Sequence, residues 1–211
     1  LHRLPIGALR RDGAYLIERV TVVNTFSGSF HARLRDLPRE SRWKRWRRRG
    51  AVVVAGTPDQ SLRFVRDEGR CVGSSFGRAA LLEGAEATKA AVRARWSRAR
   101  AVHFACHADL PAGQPRAARI ELPSGEEWTA AEWVEESGAS GIPLVTLSAC
   151  RSAELAELFG RDVFGLVGGV LAAGARAVVA GLWSVPDRET RDLMARFYRH
   201  LMRLDPADAL A

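Results

Sequence analysis

Two side chains in this sequence have the types needed for nucleophilic chemistry at a carbonyl: the imidazole of His107 and the thiol of Cys150. A thiol is mostly protonated near neutral pH and acts as a nucleophile only with a base or a cation beside it. Histidine is the side chain best suited to that task. Ser148 and Ala149, just before Cys150, are small, which lets the chain turn and leaves room in front of the sulfur. His103, four residues before His107, projects to the same side of a strand but earlier and deeper. Cys106 points opposite to His107 and reads as a core thiol. A zinc site built from His103, Cys106, His107 and Cys150 is a poor fit, because a strand cannot aim positions 106 and 107 at one ion.

The elements around these residues follow from hydrophobic pattern. Ala51 to Ala55, Ala101 to Ala105, Ile142 to Ala149 and Ala177 to Trp183 are short apolar runs, read as buried strands. Between them lie helical stretches: one containing Val65 and Val72, one from Glu86 to Trp96, one capped by Thr129 and containing Trp133, one from Val163 to Ala173 with Gly174 at its C-terminal turn, and a last one from Asp187 to about Leu204. Arg119 to Leu122 and the turn Pro123-Ser124-Gly125 predict a small strand and hairpin. Tyr15 to Val23 gives a further strand signal near the start. Alternating strands and helices predict an α/β fold with a mostly parallel sheet and helices on both faces. Such sheets hold their sites at the carboxyl ends of strands, where His107 and Cys150 both fall.

Composition narrows the field. The 211 residues are 47% hydrophobic and 27% charged, with three cysteines and a formal charge of +8. An odd cysteine count without a leader pattern argues against a disulfide framework and for reduced thiols in a cytoplasm. No run of apolar residues is long enough to cross a membrane. The charge is local: Arg39 to Arg49 holds seven basic residues and one acidic one. Its indoles, Trp43 and Trp46, interleave with guanidiniums and could stack on bases, but the remainder is nearly neutral, so this domain is not read as a nucleic-acid binder. No glycine-rich phosphate loop follows the first main strand. The two ends begin and stop in mid-pattern, as in a piece cut from a longer protein.

Several boxes in order resemble one family. His103-Phe104-Ala105-Cys106-His107-Ala108 is similar to the "HFATHG" box of the CHAT family, caspase-like cysteine proteases of clan CD related to separase. Leu144 to Cys150 resembles its "LVVLSAC" box. Gly165-Leu166 with Ala172 to Ala180, Leu182 to Asp187, Phe197 to Leu201 and the opening Leu4 to Leu9 resemble further segments. The resemblance implies a caspase-like sandwich, with residues 1–38 as an N-terminal strand segment, 39–50 as a basic loop or linker and 51–211 as the catalytic domain. It implies His107 as base and Cys150 as nucleophile, with the backbone N–H groups of Ala108 and Cys150 as the oxyanion hole. Ala108 replaces the usual glycine, a strain only if φ there is positive. Trp183 and Asp187 stand where relatives build substrate pockets, although Asp187 also suits the N-cap of the last helix. Asp109 either orients His107 or merely lies near it. The implied activity is peptide-bond cleavage through a thioester acyl-enzyme, without metal or cofactor, in a larger regulated bacterial protein whose helical repeats or partners control it. The alternative is a catalytically silent adaptor on the same fold.

Overall fold

Strands with no polar face must be buried on both sides, and the chain achieves this with a five-stranded parallel sheet. The computed structural model describes residues 5–25, 32, 50–59, 61, 64–109, 111, 114–136, 142, 144–148, 159–181 and 185–210. In chain order the elements are β1 (Arg10–Arg11), β2 (Ala14–Tyr15), β3 (Gly50–Ala55), α1 (Val65–Ser74), β4 (Arg78–Leu82), α2 (Lys89–Trp96) and β5 (Ala99–Ala105). They continue with β6 (His107–Asp109), β7 (Arg119–Glu121), β8 (Glu127–Thr129), α3 (Ala130–Glu135), β9 (Leu144–Leu147), α4 (Phe159–Ala172), β10 (Ala177–Ala180), α5 (Asp187–Leu201) and α6 (Pro206–Leu210). The main sheet has the order β10-β9-β5-β3-β4, and every neighbouring pair is parallel. A second, antiparallel sheet runs β6-β7-β8.

Alternate residues of each strand enter two separate cores. Val52, Val54, Val102, Phe104, Val145 and Leu147 join one with Trp96, Trp128, Trp133, Leu166 and Val170, so α2, α3, α4 and the small sheet cover that face. Ala51, Val53, Ala55, Ala101, Ala105 and Leu144 join the other with Val65, Val72, Phe197 and Tyr198, so α1 and α5 cover the opposite face. The expected α/β architecture, helices on both faces of a parallel sheet, is what forms. No helix among the described residues is long and apolar enough to cross a membrane.

Local signals act as their chemistry dictates. Thr129 and Glu132 form a reciprocal capping box at the start of α3, with Glu132 N donating to Thr129 Oγ1 at 3.2 Å and Thr129 N to Glu132 Oε2 at 2.8 Å. Gly174 has φ +105° just past α4, the left-handed turn that glycine tolerates. The predicted hairpin around Pro123-Ser124-Gly125 joins β7 to β8.

The structure differs from the sequence pattern in four places. The strand expected over Tyr15 to Val23 ends at Tyr15: Leu16–Glu18 form a 3-10 turn, and Val20 and Val23 are exposed, so their β-branched side chains lack the packed surface that would hold them extended. β4 was not read from the sequence. It is an edge strand whose first residues face solvent, and Arg78-Ala79-Ala80 carries no strand pattern. Its backbone pairing with β3 creates it. Asp187 does not cap the last helix. Pro186 is the N-cap and Asp187 the first helical residue, where its charge suits the helix N-terminus. That helix also stops at Leu201 rather than Leu204.

One close approach fixes the layer spacing on the α1 side. A Cβ built on Gly69 of α1 would lie 2.5 Å from Ala55 Cβ of β3. Gly69→Ala is therefore expected to cost about 1–3 kcal/mol by overpacking, against a gain of up to about 1 kcal/mol in helix propensity. Urea unfolding should show a lower midpoint for the variant. Adding Ala55→Gly should restore part of the loss, because the two atoms compete for one space.

Candidate active site

The reactive end of the sheet is where its backbone ladder runs out. Gly56 N donates to Ala105 O at 3.0 Å and Ser148 N to Phe104 O at 2.8 Å, the last rungs on either side of β5. Gly56 has φ +131°, a conformation that frees the β3 exit to turn. Beyond those rungs the chain leaving β5 passes Cys106 and enters β6, which begins at His107.

β6 is a short strand with two unlike faces. Ala108 is buried and stands opposite Ile120, which in turn pairs with Trp128. All three sit in the larger core, where Trp128 stacks on Trp133 with ring centroids 4.1 Å apart. His107 and Asp109 lie on the other face, opposite Glu121 and Arg119. His107 is thus held by a packed sheet and not by a free loop. Ala108 has no positive φ, so the alanine in place of glycine carries no left-handed strain, and its methyl packs into the core.

Among the described residues, one edge of the His107 ring is occupied. Its Nε2 lies 2.8 Å from Ser61 Oγ and 3.5 Å from Asp59 Oδ1, both from the segment leaving β3. Its Nδ1 is buried and has no hydrogen-bond partner among the described residues. Ser61 N donates to Asp59 Oδ1 at 3.1 Å. That bond from the Ser61 amide is the largest cause holding the Asp59 carboxyl down at about 2. Asp109, the residue expected to orient or surround His107, pairs with Arg119, which also meets Glu127 at 3.1 Å. Among the described residues, the groups that meet Nε2 are thus Ser61 and Asp59. Neither was singled out from the sequence, although the rule of strand carboxyl ends applied to β3 as much as to β5.

His103 is a structural residue. It is fully buried, with Nε2 2.9 Å from Glu68 Oε1 and Nδ1 3.2 Å from Tyr198 Oη. Tyr198 Oη donates to Thr146 Oγ1 at 2.8 Å, so it accepts from Nδ1–H. The Glu68 contact then needs one shared proton, either on the carboxyl or on Nε2, and both forms are neutral overall. Such satisfaction is what lets polar groups sit in a dry core. Burial pushes the Tyr198 hydroxyl and the Cys106 thiol far above their ordinary values, so both are inert as acids at neutral pH. Cys106 is the core thiol its strand position predicts.

Cys150 and Trp183 lie outside the described residues. The path toward Cys150 is visible as far as Ser148. β9 lies directly beside β5, with Val102, His103 and Phe104 opposite Val145, Thr146 and Leu147. Each of these pairs is forty-three positions apart, as are His107 and Cys150. Asp187 opens α5.

A parallel sheet wrapped by helices on both faces, with a histidine at the rim between two strand exits, defines a caspase-like α/β domain. The family model described as "CHAT domain" matches residues 1–211, and the chain belongs to that family. A search of curated proteins finds no match to it.

The buried network carries its own test. Tyr198→Phe removes the bridge between His103 and Thr146 and is expected to cost about 1–2 kcal/mol. Glu68→Ala strands His103 Nε2 and should cost more, about 3–5 kcal/mol. Equilibrium urea unfolding of both variants checks the order. Equal losses, or none, would show that the network is not a unit.

Proposed function

We propose that this CHAT domain is a cysteine endopeptidase in which His107 is the base and Cys150 the nucleophile. The observation that carries the reading is the shared register: the offset that pairs β5 with β9 is also the offset between His107 and Cys150. Adjacent strands lie about 4.8 Å apart, so chains that leave paired ends at equal distances can meet across one crevice. The Nδ1 of His107, without a hydrogen-bond partner among the described residues, supplies what a thiol needs, a proton acceptor not already engaged.

In this reading His107 takes the Cys150 proton, and the thiolate attacks the carbonyl of the scissile peptide. The oxyanion of the tetrahedral intermediate is steadied by backbone N–H groups of Ala108 and Cys150. Collapse expels the amine, which takes the proton from His107, and leaves a thioester on Cys150. Water then attacks the thioester with His107 again as base, releasing the acid and restoring the thiol. Trp183 would form an apolar wall along the substrate. Asp187 would face it from the first turn of α5, where a carboxylate favours a basic side chain before the scissile bond. The substrate is a protein or peptide, and control by a regulatory domain or partner of helical repeats fits a domain of this family.

Cys150→Ala and His107→Ala are each expected to lower peptide hydrolysis at least about a thousandfold, with unchanged circular dichroism and unfolding midpoint. A peptide library profiled with wild-type protein and Cys150→Ala reads the specificity at the same time. A wild-type protein that neither cleaves the library nor is labelled at Cys150 by a thiol-directed peptide probe would instead be a silent adaptor.

A further inference from the structure

β3 lies beside β5 on the side away from β9, and its exit brings Asp59 and Ser61 to the imidazole. Neither side chain takes part in bond making or breaking. We propose that Ser61 and Asp59 are positioning residues that fix His107 as the Nε2–H tautomer and so leave Nδ1 as its proton-accepting nitrogen. The role of Nδ1 toward a thiol rests on the cysteine-peptidase reading; the tautomer rests on His107, Ser61 and Asp59 alone.

The acceptor-only carboxylate beside Nε2 carries the inference. An ionised carboxylate has no hydrogen to give, and Asp59 remains ionised down to about pH 2. It accepts from the Ser61 amide at 3.1 Å and lies 3.5 Å from the ring's Nε2. A hydrogen on Nε2 is attracted both to the Ser61 oxygen 2.8 Å away and to the Asp59 charge, whereas a bare Nε2 would set its lone pair against that charge. The Asp59 charge therefore favours the hydrogen on Nε2, with the lone pair at Nδ1, the nitrogen with no partner among the described residues. When Nδ1 gains a proton, the positive ring has the Asp59 oxygen 3.5 Å from Nε2. A nearby opposite charge favours the charged form of a titrating group. Asp59 is largely exposed, 63% for its side chain, so solvent weakens the effect.

The same geometry argues against Ser61 as a nucleophile. An activated serine gives its hydrogen to the histidine, with the carboxylate on the far ring nitrogen. Here Asp59 and Ser61 share one nitrogen. Among the described residues, the other charged groups of that face are Glu121, across from His107 on β7, and Asp109 with Arg119 and Glu127. They are common to every variant below and cancel in the comparison.

The test reads the ring directly. The 211-residue chain labelled with nitrogen-15 histidine is followed by long-range proton–nitrogen correlation spectra from acid to neutral pH, with His107→Gln to assign the signals. The wild-type ring should carry its neutral-form proton on Nε2. Ser61→Ala should give a mixture of tautomers, and Ser61→Thr should retain the wild-type form. Asp59→Asn should raise the share of the Nδ1–H tautomer and slow alkylation of Cys150 near neutral pH about threefold to tenfold. A wild-type ring protonated on Nδ1, labelling of Ser61 by a fluorophosphonate, or spectra unmoved by both Ser61→Ala and Asp59→Asn overturns the proposal. If the ring responds as stated but Cys150 proves unreactive, the peptidase reading fails and the positioning stands. If Cys150 reacts while the ring does not respond, the positioning alone fails.

Discussion

Strand β5 is paired on both edges, with β3 and β9, and buried on both faces along most of its length. A strand in that position has no access to water, so a polar side chain on it must find every partner within the protein. His103 meets that condition by drawing Glu68 from α1 and Tyr198 from α5 into the core, with Thr146 of β9 completing the chain of hydrogen bonds. One buried imidazole therefore ties two helices and two strands on a single face of the sheet. The same constraint removes chemistry from the body of the strand: a side chain that must exchange protons with a substrate has to stand where the ladder ends.

That rim is built by three neighbouring strands, each contributing differently. β5 leads into β6, which bears His107 on its open face while Ala108 anchors its other face. β3 turns at Gly56 and returns Asp59 and Ser61 to one edge of the ring. β9 ends beside β5 with its chain still in register at Ser148. A histidine carried on a packed antiparallel sheet, braced from below by Ile120 and Trp128, has little freedom to swing. Preorganisation of this kind spares a site the cost of ordering its groups at the moment of reaction. The electrostatic setting is mixed, since Arg119 compensates Asp109, and the carboxylate that meets the Nε2 edge comes from β3.

Much of this was legible in the residues. Continuous apolar runs separated by helical stretches determined a parallel sheet covered on both faces, because a strand with no polar side has only that fate. The Thr129 cap, the Pro123-Ser124-Gly125 hairpin and the Gly174 turn were legible because each depends on interactions within a few residues. His107 could be placed at a strand end for the same reason. Elements whose existence depends on distant partners were not legible. β4 forms because β3 offers it a ladder, and Val20 and Val23 stay irregular because no packed surface receives them. The sequence by itself thus determined which segments are buried and which residue types stand at the rim. Only the tertiary structure decided that Ser61 and Asp59 meet His107, and that Glu68 and Tyr198 occupy His103. Those contacts join residues 35 to 95 positions apart, and hydrogen bonds at such separations are set by how strands and helices pack, which no local pattern encodes.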